Sequence, residues 1–252
     1  LERLDAMENV SSVRLDVTIQ EEIDAAVDFV SSQGRGLHGL VNNAGVNAFA
    51  KLTSGPESDM HFVFDVNVYG PYRINKAFMP LLEESGGRTT TIGSIAGFTG
   101  TSGIYSMSKF AVEAYTDSLA REIEGSGVHV SVVEPGGFKS KIGLSRAARA
   151  LAAAERGEIE LTERDRARYE NEEARRATRK EPDEVADAIL ELMTAAKPKR
   201  RYLVTPNERQ ARGTIRAALR RVIQLNHDQQ YALDRDALVA VIDELLEDIE
   251  ND

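Results

Sequence analysis

The sequence predicts an α/β fold in which helices cover both faces of a doubly wound parallel sheet. Short apolar segments at Leu37–Val41, Arg88–Ser94 and Val128–Val133 alternate with longer amphipathic helical segments. Parallel neighbours require long crossover connections, which are almost always right-handed. The chain has 252 residues, which suits one large domain with a substantial core.

The first part of the chain predicts a strand, a helix and a second strand. Val10–Val17 alternates apolar and polar residues, which is typical of a strand. Thr18 and Glu21 form a capping-box pattern, so we expect the helix to begin just after Thr18. Gly34 ends that helix, and Leu37–Val41 forms the next strand.

A long, mostly helical segment runs from Pro56 to Glu84. Its predicted buried stripe consists of Phe62, Val66, Tyr69, and Ile74 or Ala77. Asn67 interrupts this apolar stripe next to Gly70. A polar residue at such a position is usually satisfied in the core, or it bends the helix by bonding to the backbone.

The centre of the chain predicts two further strands, at Arg88–Ser94 and Val128–Val133, separated by a helix at Ser102–Glu124. The apolar side of that helix consists of Phe110, Ala114, Leu119 and Ile123. Gly136 and Gly137 follow Pro135 and allow the backbone to approach another group closely.

Beyond residue 139 the composition shifts to Ala, Arg and Glu, and we expect helices at Ala147–Ala154 and Glu163–Arg179. A helix at Pro182–Met193 and a short strand at Tyr202–Val204 follow. Asn207–Asp252 extends the same domain with two amphipathic helices, whose apolar faces we expect to pack on the core or on a partner. Those faces consist of Ile215, Leu219, Val222 and Ile223, and of Leu238, Val241, Ile242, Leu245 and Leu246.

Composition excludes several classes of function. The net charge of −10, from 31 basic and 41 acidic residues, disfavours binding to nucleic acid or to an anionic membrane. The chain has no cysteine, and its four histidines lack ligand spacing, so we expect no metal site. No apolar run reaches the ~18 residues of a membrane span, and we expect a cytoplasmic protein.

The segment with the clearest chemistry contains Ser94, Tyr105 and Lys109. The spacing of four places Tyr105 and Lys109 on one helix face. Tyr titrates near pH ~10, and a nearby ammonium is expected to lower that value, which would suit proton exchange with an alcohol or ketone. Ser94 could hydrogen-bond the same substrate oxygen. The spacing alone also fits an ordinary solvated helix face.

Four motifs occur together in this order: Asn42-Asn43-Ala44-Gly45, Gly93-Ser94-Ile95-Ala96-Gly97, Tyr105-x-x-x-Lys109 and Val133-Glu134-Pro135-Gly136. Over roughly Val10–Thr205 the chain therefore resembles the short-chain dehydrogenase/reductase family, and its steroid and retinol dehydrogenase branch. The resemblance implies a Rossmann-like sheet, NAD or NADP as cofactor, and hydride exchange with a secondary alcohol or ketone, possibly a lipophilic one. Sugar-nucleotide epimerases share Tyr-x-x-x-Lys, but the Asn-Asn-Ala-Gly segment and the modest length favour the short-chain group.

The same resemblance assigns roles to residues. Tyr105 would be the general acid or base, Lys109 would hold the nicotinamide ribose, and Ser94 would orient the substrate oxygen. Asn67 would maintain a helix bend and hold a water beside the lysine. The residues implied at the cofactor are Asp16, Val17, Asn43, Ala44, Gly45, Tyr105, Lys109, Pro135, Gly136 and Phe138. The segment 139–181 would be a substrate lid, and the long helix would contact a second subunit in a homodimer or homotetramer.

The chain departs from the family at its beginning. It starts with Leu1 and contains no Gly-x-x-x-Gly-x-Gly motif, so the family's first strand-helix-strand unit is absent from these residues. We expect that the sequence is part of a longer protein, with an otherwise complete core at 1–206 and an extension at 207–252. The alternative is a non-catalytic homologue that serves as a binding or dimerisation module. The residue that would distinguish NAD from NADP is also absent.

Overall fold

Four parallel strands form a single sheet in the order β1-β2-β3-β4. They are β1 at Gly39–Asn42, β2 at Arg88–Ile92, β3 at His129–Pro135 and β4 at Arg201–Val204. The computed structural model describes residue 4, residues 6–48 and residues 52–251, with side chains up to residue 249. In the register, Gly39 lies opposite Arg88, and Arg88 lies opposite His129.

Helices connect and flank these strands. The first half contains α1 at Gln20–Ser32, α2 at Glu57–Phe64, α3 at Gly70–Ser85, α4 at Ala96–Thr99 and α5 at Ile104–Glu122. The second half contains α6 at Ile142–Glu155, α7 at Glu163–Glu170, α8 at Glu172–Ala177, α9 at Asp183–Thr194, α10 at Glu208–Asn226 and α11 at Arg235–Asn251. A single π-helical turn at Asp65–Tyr69 joins α2 to α3.

Helices pack on both faces of the sheet. Ile23 of α1 and Ile74 of α3 belong to one buried cluster, which also contacts Leu40 of β1. On the other face, Leu192 of α9 packs with Val133 of β3 in a separate cluster. Successive side chains of a strand point to opposite faces, so a buried strand serves both layers. The predicted doubly wound α/β fold is confirmed.

The predicted first strand and capping box are both wrong. Val10–Val17 forms no strand, and Val10, Val13 and Leu15 are each more than a third exposed. A strand requires cross-strand hydrogen bonds, and none of the described strands pairs with this segment. The Thr18 hydroxyl donates to Asp16 instead of capping the helix, and α1 begins at Gln20 with no side-chain cap.

The buried stripe predicted for the helical segment after Pro56 is partly wrong. Tyr69 is 55% exposed, whereas Val63, Asn67 and Ile74 are buried. The cause is the π-helical turn, in which each N–H bonds five residues back and the turn holds more residues than an α-helical one. Residues beyond this turn therefore rotate away from the faces that a 3.6-residue period predicts.

The apolar sides predicted for the later helices also differ from the buried ones. Helix α5 buries Val112 and Thr116 while Ala114 is exposed, because the Thr116 hydroxyl bonds the Val112 carbonyl at 2.9 Å and needs no water. The extension forms α10 and α11 as predicted, but most of their apolar side chains face outward instead of packing on the core.

Segment 139–181 contains α6, α7 and α8, and none of its residues is in a strand. Ala147 and Ala150 of α6 form a small buried cluster with Tyr169 of α7. Across the described residues, no helix combines the length and the apolar character that a membrane span requires. The sheet and these three helices together enclose the cleft described next.

Candidate active site

A cleft of about 440 Å³ opens where β2 and β3 end, which is the edge at which parallel α/β sheets commonly bind ligands. Ser94 lies just beyond β2, and Gly136 follows β3 directly. Tyr105 lies in the first turn of α5, and Phe138 lies in the loop before α6. All four residues line the cleft, so chain segments distant in sequence meet at one site.

Tyr105 and Ser94 both line this cleft, and the Ser94 hydroxyl is close enough to stabilise the charged form of the phenol by hydrogen bonding. Burial raises the pKa of the Tyr105 phenol, and the Ser94 hydrogen bond opposes that rise only in part. The lowered Tyr pKa expected from the sequence is therefore wrong for this arrangement. The phenol keeps its proton at neutral pH and can act as a proton donor.

Lys109 lies near the ring of Tyr105, but its ammonium group hydrogen-bonds to a main-chain carbonyl. Its Nζ donates to the Ile92 carbonyl oxygen at 2.6 Å and lies 5.6 Å from the centroid of the Tyr105 ring. The residue is only 4% exposed. Burial lowers the pKa of Lys109 to about 8, and Glu134 and Glu113 partly oppose this shift.

Two buried carboxyl groups lie behind the lysine. Glu134 of β3 accepts a hydrogen bond from the Ser94 main-chain N–H at 2.6 Å, and it lies close to Glu113 of α5. One oxygen of each carboxyl group is buried without a hydrogen-bond partner. Burial, followed by the proximity of Glu113, raises the pKa of Glu134 well above that of an ordinary carboxyl. Glu134 therefore keeps its proton at neutral pH, because two adjacent buried carboxylates would repel each other.

Asn67 is buried in the π-helical turn, and both its amide oxygen and its amide nitrogen form hydrogen bonds. It accepts from the Val46 N–H at 2.8 Å and donates to the Val46 carbonyl at 2.9 Å and to the Ser108 hydroxyl at 3.0 Å. These bonds tie the loop after β1 to α5. A Cβ atom added to Gly45 would lie 3.6 Å from Asn67 Oδ1 and 4.0 Å from Lys109 Nζ.

The residues predicted at the cofactor separate into groups. Gly136 and Phe138 line the cleft with Ser94 and Tyr105, while the Pro135 carbonyl accepts the Ile95 N–H at 3.2 Å. Val17, Asn43 and Ala44 line a second cleft of about 220 Å³ beside β1. Asp16 lines neither cleft, and its carboxylate accepts the Thr18 N–H at 2.9 Å.

Two groups that sequence reasoning did not select also belong to this site. Glu134 follows Val132 and Val133 in a strand with few polar residues, and this position is a signal for a buried carboxyl. Arg146 of α6 lines the cleft opposite Tyr105, and nothing distinguishes it in sequence from its many neighbouring arginines. No described group of three or more His, Asp and Glu side chains could hold a metal ion.

Comparison with known proteins gives a consistent family. The sequence profile described as short chain dehydrogenase matches residues 1–150. Mouse (Mus musculus) retinol dehydrogenase 7 is 40% identical over 54% of this chain and 44% of its own length. The mitochondrial D-beta-hydroxybutyrate dehydrogenase of Rattus norvegicus is 33% identical over 77% of this chain and 62% of its own length. The chain thus spans about half the length of the curated relatives it matches.

Solved structures agree on the fold. A short chain dehydrogenase/reductase from Burkholderia phymatum, crystallised in complex with NAD, has a TM-score of 0.71 at 25% identity. The match covers 92% of this chain and 82% of that one. A short-chain dehydrogenase from Streptomyces avermitilis has a TM-score of 0.68 at 24% identity, over 91% of this chain and 85% of that one.

Proposed function

Because this chain belongs to the short-chain dehydrogenase family, we propose that it transfers a hydride between a nicotinamide cofactor and a secondary alcohol or ketone. The observation that carries the proposal is that Tyr105 and Ser94 both line the cleft at the ends of β2 and β3. Retinol, steroid and hydroxybutyrate dehydrogenases among the relatives all act, by their names, on hydroxyl compounds or their oxidised forms.

In this proposal Tyr105 exchanges the proton and Ser94 holds the substrate oxygen. A neutral phenol at neutral pH favours donation to the carbonyl oxygen of a ketone. The Ser94 hydroxyl accepts the Ala96 N–H at 3.1 Å, which fixes the position of its oxygen beside the substrate. Lys109 and Asn67 act as positioning residues, since Lys109 is buried behind the phenol and Asn67 secures the adjacent loop.

The residues near the cleft fit the nicotinamide half of NAD or NADP. Gly136 lies so close to Gln210 and Pro206 that an added Cβ would clash. The backbone is therefore tightly packed at this part of the cleft, which Tyr105 also lines. Phe138 adds an apolar surface suited to a flat ring. A bound nicotinamide would supply or accept the hydride. For the adenine half, Val17, Asn43 and Ala44 line the second cleft, and we assign them to it.

The test is the Tyr105→Phe variant in the presence of NADH and NADPH. We expect turnover of a ketone substrate to fall by roughly 10²–10⁴-fold, as the loss of a general acid implies. Cofactor affinity, measured by fluorescence titration, should change little. Tyr231→Phe is the matched control, since Tyr231 is 77% exposed and distant in sequence from the cleft residues. Unchanged turnover in Tyr105→Phe would contradict the assigned role.

The second candidate function is a non-catalytic binding or dimerisation module. The observation favouring it is that α10 and α11 expose apolar side chains that a partner could cover. If neither NADH nor NADPH binds at millimolar concentration, this alternative replaces the enzyme. Micromolar binding of either cofactor would exclude it and would also decide the cofactor preference.

We further propose that two copies of the chain associate through α10 and α11. Ile215, Leu219 and Val222 form an exposed apolar stripe on α10, beside arginines such as Arg216. Helix α11 exposes a matching apolar face between acidic residues, which include Asp243, Glu244, Glu247 and Asp248. The opposite charges suit α11 of one copy lying on α10 of the other.

Light scattering over a range of protein concentrations tests this association. We expect a dimer or tetramer that dissociates in the Leu219→Asp variant. A monomer at all concentrations, including one in which α11 folds onto its own α10, would contradict the proposal.

We place the protein in the cytoplasm on its acidic charge and lack of cysteine. Cell fractionation tests this, because a relative is named mitochondrial.

A further inference from the structure

The wall of the cleft opposite Tyr105 carries an excess of positive charge. Arg146, Arg168 and Arg179 line this wall, and Glu172 is the acidic residue among the described lining residues. Glu172 is 1% exposed and already pairs with Arg179, at 2.8 Å between Oε1 and Nη2. Its other oxygen lies 3.8 Å from Arg175. The negative charge of Glu172 is therefore committed to these two arginines.

Among the described residues, Arg146 at this wall lacks such an ion pair, as does the more exposed Arg168. Within the described part of the chain, no carboxylate lies at ion-pair distance from the Arg146 guanidinium. Its Nε is buried without a hydrogen-bond partner. The guanidinium carbon lies 5.5 Å from the centroid of the Tyr169 ring, and Tyr169 packs in the buried cluster with Ala147 and Ala150. Stacking on a fixed ring holds the guanidinium in place at the cleft.

Partial burial of a guanidinium is costly, and it lowers the pKa of Arg146, a shift that the nearby Tyr169 and Glu172 oppose only in part. An anionic ligand in the cleft would relieve that cost. The planar guanidinium matches a carboxylate through two parallel N–H bonds, and an ordinary neutral alcohol offers it no charge. The cleft of about 440 Å³ suits a small ligand that reaches both Arg146 and Tyr105.

We infer that the substrate is a hydroxy acid or the corresponding keto acid, whose carboxylate is bound by Arg146 while its hydroxyl or carbonyl oxygen meets Ser94 and Tyr105. Only the second part of this inference, the contact of the hydroxyl or carbonyl oxygen with Ser94 and Tyr105, rests on the proposed oxidoreductase function. This substrate differs from the lipophilic alcohol that the family branch implies, because a purely apolar ligand would offer the Arg146 guanidinium no negative charge and no acceptor.

The test compares butyrate with butyramide, which has nearly the same shape but no charge, by calorimetric titration of the protein. We expect butyrate to bind roughly tenfold or more tightly than butyramide, as charged hydrogen bonds imply. Arg146→Met should abolish this preference, and Arg121→Met, which changes an exposed arginine at the far end of α5, should retain it. Arg146→Lys keeps the charge but loses the paired N–H bonds, so it should weaken the binding of butyrate and leave that of butyramide unchanged. This variant replaces Arg146→Met in the test if the Met variant unfolds.

Equal affinity for butyrate and butyramide, or a preference unchanged in Arg146→Met, would overturn the inference. Tighter binding of methyl phosphate than of butyrate would overturn the carboxylate class. A separate arm measures NAD⁺-linked oxidation of 3-hydroxybutyrate and 2-butanol. If neither is oxidised while the butyrate preference holds, the carboxylate site stands and the proposed function fails. If 2-butanol is oxidised as efficiently as 3-hydroxybutyrate, the function stands and the carboxylate inference fails.

Discussion

The buried carboxyl group of Glu134 accepts a hydrogen bond from the main-chain N–H of Ser94 at 2.6 Å, across 40 positions of sequence. This bond fixes the residue after β2 to strand β3 and so sets where the Ser94 hydroxyl lies. Gly93 leaves room for it, since an added Cβ there would lie 2.3 Å from Glu134 Oε1. The placement of Ser94 thus depends on a carboxyl group outside the Ser-Tyr-Lys set.

Replacing Glu134 tests this dependence. In Glu134→Gln the amide oxygen can still accept from Ser94, so we expect a loss of less than about 1 kcal/mol in the free energy of unfolding at pH 7. Glu134→Ala leaves the buried N–H unpaired and should cost about 1–3 kcal/mol. Urea denaturation measures both. Equal losses in the two variants would show that the hydrogen bond contributes little.

The two Glu134 variants also differ in their pH dependence. The folded-state pKa of Glu134 is raised above its unfolded value near 4.5, so its contribution to stability is complete below that pH and is lost as pH rises toward the folded value. Glu134→Gln cannot titrate, so its stability should decline less than that of the wild type as pH increases above 4.5. Parallel stability curves for the two proteins would contradict a raised Glu134 pKa.

Lys109 is expected to titrate in the opposite sense. Its folded-state pKa of about 8 lies below its unfolded value of 10.5, so protonation favours the unfolded chain and the wild type gains stability as pH rises from 8 to 10.5. The gain amounts to about 3 kcal/mol if each pKa unit contributes about 1.4. Lys109→Met cannot make this gain. The free energy of unfolding of the wild type should therefore rise relative to that of the variant between pH 8 and 10.5. A constant difference would place the pKa near its ordinary value.

Asn67 should be important for stability as well as for catalysis. Asn67→Ala removes the partners of the Val46 N–H and carbonyl, and each buried group left unpaired costs about 1–3 kcal/mol. Asn67→Asp keeps the acceptor for the Val46 N–H but loses both donated bonds, so we expect an intermediate midpoint of thermal unfolding. A midpoint unchanged in the Ala variant would mean that the loop after β1 is held by other contacts.

Arg201 links β4 to α5 through two carboxylates. Its Nε lies 2.9 Å from Glu113 Oε2 and its Nη2 lies 2.7 Å from Asp117 Oδ2. Because the Arg201 side chain is 37% exposed, we expect Arg201→Met to cost about 1–3 kcal/mol, below the figure for a fully buried pair.

A double-mutant comparison separates the two Arg201 pairs. Adding Glu113→Gln to Arg201→Met should recover part of the loss, because the uncompensated buried charge is then removed. Adding Asp117→Asn should recover little, since Asp117 is 47% exposed and remains hydrated without the arginine. Equal recovery from both substitutions would contradict a special role for the buried carboxylate.

The sequence by itself determined the sheet class, most of the helices and the family. It did so because apolar periodicity reports local conformation, and because the Tyr105-x-x-x-Lys109 segment lies within one helix. It also identified Ser94, Asn43 and Gly136, which follow strands and therefore meet at one edge of a parallel sheet. The C-terminal amphipathic helices were likewise visible as local patterns.

Only the tertiary structure decided what depends on distant partners. Val10–Val17 has the pattern of a strand, but hydrogen-bonding neighbours decide whether one forms. Tyr69 faces outward because the π-helical turn shifts the register that local periodicity assumes. The charge of an ionisable group depends on burial and on neighbours such as Glu113 for Glu134. That Arg146 forms no ion pair with a described carboxylate likewise appears only after folding. These long-range contacts determine the chemistry of the cleft.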